Sequence, residues 1–240
     1  MIKIQAIMPM RNEDDIVFWT VAKLISQGID VLVLDNHSTD SGVADVINAG
    51  ARVERWGSPS YFSEAEKNDT VLNAIRASDA DWIIYHDADE VFRSPVAGES
   101  YRAFVERVAA SGATAINHTS RQYSPVDDNF ERGDPESYFK HWVTEESLGF
   151  HGFRQERTFK RHPEVSTATC LHTIDFPGKI LASEEGIRKH YPIRSQRHGM
   201  KKVFTERYGR SVDNTFTQYR RYLTAPNFLY DLADPRLQHD

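Results

Sequence analysis

The sequence predicts an α/β fold with a mostly parallel central sheet and helices on both faces. Three observations predict it. Strand-length segments recur at residues 2–8, 31–34, 52–56 and 82–85: 31–34 and 82–85 are apolar runs, 2–8 alternates before it runs apolar, and 52–56 is a shorter strand. Between them lie segments with helical spacing, at 13–27, 40–49 and 64–77. The resulting order, four strands with a helical segment between each pair, is that of parallel strands joined by helical crossovers.

Residues 2–8 alternate and then run apolar until Pro9. Asn12 is placed to cap the next helix, and Glu13, Asp14 and Asp15 suit its positive N-terminal end. Ile16, Trp19, Val21, Ala22, Leu24 and Ile25 supply its apolar face, and Gly28 suits the left-handed position just past its end. The second strand runs into Asp35. Asp40 opens a short helix through Val43, Val46 and Ile47 to Gly50. Ser63 and Glu66 have capping-box spacing ahead of a helix over 64–77. Strand 82–85 then stops at Asp87, Ala88, Asp89 and Glu90. After Pro95 the pattern loosens. The spacing predicts a helix over 99–111, a strand over 113–117, and a long polar and aromatic loop over 119–149. It also predicts a strand pair from 157–160 and 167–171, a connection at 179–181, and helices over 195–208 and 213–223. The chain reads as one domain over 1–240, with a regular half to residue 95 and an irregular half from 96.

Composition narrows the class. Of 240 residues, 40% are hydrophobic and 11% aromatic, enough for a packed core. A net charge of −6 argues against a nucleic-acid-coating protein. The lone cysteine, Cys170, rules out an internal disulfide framework and fits a reducing compartment. No apolar run approaches the roughly 20 residues of a spanning helix, and the first residues lack a basic leader. A cytoplasmic protein without an integral membrane segment is expected.

The acidic stretch carries the chemistry. Three carboxylates in four residues repel one another unless a cation or solvent separates them. A hard divalent cation, Mn²⁺ or Mg²⁺, takes oxygen ligands, commonly one or two carboxylates plus substrate phosphates. Ligands of open α/β sheets bind at the carboxyl ends of strands, where Asp35 and Asp87 both fall. The residues therefore predict a metal-dependent phosphate site; the plain alternative is a charged turn with solvated acids.

Three motifs in order carry a resemblance. Met8, Pro9, Met10, Arg11, Asn12 and Glu13 resemble a P-x-x-N-E segment after a first strand. Asp35, Asn36, His37, Ser38, Thr39 and Asp40 resemble D-x-S-T-D, and Asp87, Ala88 and Asp89 resemble D-x-D. Together, over roughly the first 95 residues, they resemble glycosyltransferases of the GT-A fold, in particular family 2. That resemblance implies a nucleotide-sugar donor, a UDP-sugar foremost, and a glycan or glycoconjugate acceptor. It implies Asp89 as a metal ligand and Asp87 beside the ribose or the metal, both counted as catalytic. It implies Asp35 on the base or ribose, with Pro9, Arg11, Asn12, Glu13 and Ala88 lining the donor pocket and Glu13 anchoring Arg11. Lys67 and Asn68 fall where the family often has a basic residue and an Asn near the donor. Glu90 is a direct or supporting metal ligand. A later segment, His190, Tyr191, Pro192, Ile193, Arg194 and Ser195, resembles the H-Y-P-x-R-S of some related transferases. It implies His190 as a further metal ligand, with Arg194, Arg197 and Lys201 on the diphosphate.

The proton acceptor stays open among Asp127, Asp128, Glu156, His151, His172 and Asp175, as does the stereochemical course. Tyr123, Tyr138, Phe139, Trp142 and Phe153 are candidates for stacking on sugar faces or for plain packing. Two other classes compete. A haloacid-dehalogenase-like phosphatase also uses an acidic pair after an apolar strand, but on the chain's first strand. A non-catalytic nucleotide-sugar or glycan-binding module would keep the pocket without the reaction.

Overall fold

Four parallel strands form the nucleus, each with its carboxyl end on the same side. The computed structural model describes residues 2–149, 154–169, 171–207 and 226–240. In chain order the nucleus contains β1 (Ile4–Met10), α1 (Val17–Ile25), β2 (Asp30–Asp35), α2 (Gly42–Asn48), β3 (Arg52–Arg55), α3 (Glu64–Ala77) and β4 (Trp82–Tyr85). β1 lies between β2 and β4, and β3 flanks β2, all parallel. β1 and β4 are apolar along nearly their whole length, as strands covered on both faces must be. On one face Val17, Val21 and Leu24 of α1 pack with Ile4, Met8, Val31 and Val33. On the other, Val71, Leu72 and Ile75 of α3 pack with Ile7, Leu34, Ile83 and Tyr85.

The second half extends this sheet. Its elements are β5 (Glu90–Arg93), α4 (Tyr101–Ala110), β6 (Ala115–Tyr123), α5 (Pro135–Tyr138), β7 (His141–Thr144) and a 3₁₀ turn (Glu146–Leu148). Then come β8 (Gln155–Lys160), β9 (Ser166–Thr169), β10 (Thr173–Asp175), β11 (Gly186–His190), α6 (Gln196–Met200), a π-helical stretch (Lys201–Arg207) and β12 (Gln238–His239). β8 joins β4 antiparallel, and β6, β7 and β12 continue from it. β11 runs parallel to β6 and antiparallel to β5, which places His190 opposite Glu90. That pairing brings the far end of the chain back to the acidic turn.

The structure departs from expectation at several points. Residues 119–149 are not one loop: they hold the end of β6, α5, β7 and the 3₁₀ turn. Their polar residues alternate because these strands lie in the antiparallel extension. β8 does not pair with β9; β9 pairs with β10, across the turn at Leu171. Asn12 does not cap α1, which starts at Val17 after Ile16. Asn12 instead has φ 54° and points its side chain elsewhere. The expected helix over 213–223 and Cys170 lie outside the described residues. Among the described residues no helix is long and apolar enough to cross a membrane.

The Ser63 cap is as expected: its Oγ accepts from the Glu66 backbone N–H at 3.4 Å. Ser63→Ala is expected to lower unfolding free energy by about 0.5–1 kcal/mol in urea titration, the low end for a cap, with the secondary structure unchanged.

Candidate active site

The site is built on the turn after β4. The His86 N–H donates to the Ile7 carbonyl at 3.1 Å, so β1 still holds the chain as it leaves the sheet. The Glu90 N–H then donates to the Asp87 carbonyl at 3.1 Å and closes the turn. Glu90 is fully buried beneath it. Its Oε2 accepts from the Asp87 N–H at 3.2 Å, and its Oε1 accepts from Arg188 at 2.6 Å and Arg157 at 3.3 Å. Arg188 reaches on to Glu145 at 2.6 Å. Glu90 is thus the anchor of the turn, with both carboxylate oxygens taken up by donors of the protein, as the supporting one of its two expected roles requires. A buried carboxylate of this kind persists because several donors satisfy it.

The two acids of D-x-D point to different partners. Asp87 accepts from the Tyr85 hydroxyl at 3.0 Å and from Arg157 at 3.1 Å, and Arg157 stacks 4.4 Å above the Tyr85 ring. Burial would raise the Asp87 pKa, but Arg157 and then Lys67 hold it well below the usual carboxylate range. Asp89 turns the other way. Its Oδ2 accepts from Lys202 at 2.7 Å, and its Oδ1 faces His190 Nε2 at 3.5 Å. Burial again opposes ionisation, and Lys202 with His190 outweighs it, so Asp89 is also held ionised. The Asp89 carbonyl accepts from the Tyr191 N–H at 2.8 Å, which fixes the end of β11 against the turn. His190 Nδ1 is buried without a hydrogen-bond partner among the described residues. Ala88 is the buried spacer; its carbonyl accepts from Thr20 at 3.2 Å.

The loop after β1 supplies the second wall. Glu13 is buried and accepts from Lys202 at 3.0 Å and from Arg194 at 2.5 Å. Glu13 therefore does not anchor Arg11. Arg11 donates to Glu206 at 2.8 Å and to the Asn36 and His37 carbonyls at 2.5 and 2.6 Å. Asn12 donates to Glu206 at 2.6 Å and accepts from the Thr39 N–H at 2.7 Å. Pro9 is half-buried and sits beside Leu34 in the β1–β2 register. Asp35 is fully buried; Oδ1 accepts from the Ser38 N–H at 3.0 Å. Its Oδ2 has no hydrogen bond among the described residues and lies 3.6 Å from Arg55 Nε.

The remaining candidates divide. Lys67 pairs with Glu64. Burial works against its charge, yet Tyr85, Glu64 and Asp87 keep its pKa above the usual lysine value. Asn68 Oδ1 is buried without a hydrogen-bond partner among the described residues. Arg194 is wholly buried, donating to Asp15 at 2.6 and 2.8 Å, to Glu13 and to the Tyr191 carbonyl at 2.9 Å. Its fork is already occupied, so it orders Glu13 and Asp15 instead of offering itself to a diphosphate. Arg197 and Lys201 are exposed, and Arg197 lies 3.8 Å from Glu131; neither joins the acids.

Among the proton-acceptor candidates, Asp127, Asp128 and Glu156 are engaged with backbone N–H groups and neighbouring side chains, and Asp175 is on the surface. His151 lies outside the described residues. His172 feels Arg157, Asp87 and Lys67; burial first, then Arg157, lowers its pKa to about 3. Tyr123 and Phe139 pack with Tyr191 and Phe130 in a buried apolar cluster with Trp142 against it, while Tyr138 is exposed. Phe153 lies outside the described residues. The residues that sequence reasoning passed over are Asp15, Arg157, Arg188, Lys202 and Glu206. Their oppositely charged partners lie 43 to 195 positions away in sequence, and no local pattern marks such pairs.

The model of the family described as Glycosyl transferase family 2 matches residues 5–170, which carry the β1 loop, the Asp35 turn and the D-x-D turn. Similar solved structures include a mycobacterial protein (20% identity, TM-score 0.38), covering 50% of this chain and 42% of that one. Another is the mannosyl-3-phosphoglycerate synthase of Rubrobacter xylanophilus (20% identity, TM-score 0.37), covering 55% of this chain and 43% of that one. A third is the glucosyl-3-phosphoglycerate synthase of Mycobacterium tuberculosis with Mg²⁺ and uridine diphosphate (16% identity, TM-score 0.38), covering 67% of this chain and 57% of that one. The chain therefore spans about half the length of the solved structures it matches. No curated protein matches it. The family match runs over more than half of the chain and ends beyond every motif of the first half, and on that ground the chain belongs to glycosyltransferase family 2.

Proposed function

We propose that the protein is a metal-dependent glycosyltransferase. It moves a sugar from a nucleoside-diphosphate sugar, with a UDP-sugar the first donor to test, onto a hydroxyl of a glycan or glycoconjugate. The observation that carries this reading is the meeting of Asp89 Oδ1 with His190 Nε2 at 3.5 Å at the carboxyl end of a parallel strand, inside the family segment. The donor set suits Mn²⁺ or Mg²⁺: one ionised carboxylate oxygen and one imidazole nitrogen. Among the described residues no three His, Cys, Asp or Glu side chains converge as a metal cage. An ion that takes one or two protein ligands and fills its shell with phosphate oxygens and water needs none. When bound, the ion supplies Lewis-acid neutralisation of the departing diphosphate.

The chain's own residues do the rest. Asp35 Oδ2, left without a hydrogen bond, accepts from the base or a ribose hydroxyl. Arg11 and Asn12 brace the carbonyls and N–H groups of the Asp35 turn. Lys67 of α3 lies within the field of Asp87, which supports a place for it and for Asn68 beside the donor. Asp87, fixed by Arg157 and Tyr85, orients toward the ribose or sugar, not the metal. The proton acceptor stays open: burial and then Arg157 hold the His172 pKa at about 3, which makes it too weak a base to take the acceptor's proton near neutral pH.

A panel of UDP-, GDP-, CMP- and dTDP-sugars with Mn²⁺ tests the donor class. One base is expected to raise the melting temperature by roughly 5–10 °C at a hundred times its Kd, and only with the metal present. Equal stabilisation with and without metal, or by none of the panel, contradicts the reading. The phosphatase alternative is disfavoured because Asp87 follows the fourth strand and the family match excludes that class. A binding module would show the shift without donor turnover.

A further inference from the structure

We propose that Lys202 is the resident counter-cation of Asp89 and a diphosphate-binding residue in waiting. Its ammonium and a divalent cation exclude each other at Asp89, and loading the metal frees Lys202 toward the donor's phosphates. This rests on the nucleotide-sugar reading above and goes beyond it.

Lys202 is buried, 5% exposed, in the π-helical stretch that follows α6. Its Nζ lies 2.7 Å from Asp89 Oδ2 and 3.0 Å from Glu13 Oε1. The two carboxylates come from different strand ends, so one ammonium closes the crevice between the β1 loop and the β4 turn. A buried lysine keeps its charge only where carboxylates satisfy it. A divalent ion on Asp89 Oδ1 and His190 Nε2 would share that single carboxylate with the ammonium, and like charges so close repel strongly in a poorly solvated crevice. Glu13, the other carboxylate on Lys202 among the described residues, already has its second oxygen committed to Arg194 at 2.5 Å.

The neighbouring cation is not built to move. Arg194 is locked in a fork on Asp15 and also serves Glu13. Lys202 is a point charge on a flexible stem with three rotatable donors, which suits exchange of a carboxylate for a phosphate oxygen. The π-helical geometry around it is of a kind often found at functional sites. Four residues on, Glu206 of the same stretch accepts from Arg11 and Asn12. The stretch therefore stays moored while the Lys202 side chain swings.

Lysine acylation followed by mass spectrometry on the whole protein reads the exchange directly, using Mn²⁺ alone. Lys202 is expected to resist acylation without metal and to react about tenfold faster or more with saturating Mn²⁺. Lys202→Met is expected to bind Mn²⁺ about tenfold more tightly in titration calorimetry, the competing cation being gone. Lys202→Arg, which keeps the charge, is expected to stay near wild type. If Mn²⁺ binds yet Lys202 reactivity is unchanged, or if Lys202→Met binds Mn²⁺ no more tightly, the exchange is overturned while the transferase reading stands. If the wild-type protein binds neither Mn²⁺ nor Mn²⁺ with a nucleoside diphosphate, both fall. Should Lys202→Met fail to fold, the acylation of the wild-type protein decides.

Discussion

Asp89→Asn is expected to remove metal-dependent binding of the nucleoside diphosphate and to lower kcat/KM by about 10³-fold or more. The amide keeps the shape of the carboxylate but not its charge. It cannot be an anionic ligand, and it removes one of the two carboxylates that the Lys202 ammonium meets among the described residues. Asp87→Asn serves as the contrast. Asp87 faces Arg157 and Tyr85, so its loss is expected to weaken nucleotide binding while Mn²⁺ still binds. Titration calorimetry with Mn²⁺, with and without UDP, separates the two variants. Equal loss of Mn²⁺ binding in both would contradict the different places the structure gives them.

Arg194→Met is expected to act on folding, not on ligand contact. The guanidinium is wholly buried and pairs with Glu13 and Asp15. Burial opposes its charge, but Asp15 and then Glu13 hold its pKa above the ordinary arginine value. Replacing it leaves two carboxylates without their partner, a loss of about 3–5 kcal/mol for a buried pair broken from one side. For a chain of this size that is a fall in melting temperature of roughly 10 °C. At a temperature where the variant is folded, nucleoside binding and diphosphate binding should weaken together, because Glu13 loses its position. Selective loss of diphosphate binding with unchanged stability would restore the direct clamp that the sequence suggests.

The parallel nucleus was legible in the sequence because its signals are local. Ile4–Met10 and Trp82–Tyr85 are apolar runs of strand length, and Ser63 with Glu66 marks the start of α3 from three residues apart. The antiparallel extension was not legible. β11 is a five-residue strand, Gly186–His190, whose polar side chains make sense only between β5 and β6. The positions of Asp35, Asp87 and Asp89 at strand ends followed from the motifs. What each acid faces did not. Arg157 meets Asp87 across 70 positions and Lys202 meets Asp89 across 113, and a cation that distant leaves no mark near the acid. Arg194 illustrates the same limit from the other side: next to His190 in a basic segment it reads as a ligand grip, and only burial against Asp15 and Glu13 turns it into a brace.

The most direct test of the account is a crystal of the protein soaked with Mn²⁺ and a UDP-sugar, read by anomalous scattering from manganese. The manganese peak is expected between Asp89 Oδ1 and His190 Nε2, the two atoms that would hold the ion. The account also predicts the diphosphate on the metal's open side and Asp87 still on Arg157. Manganese seated elsewhere, or a nucleotide bound with Asp89 facing no metal, would contradict it.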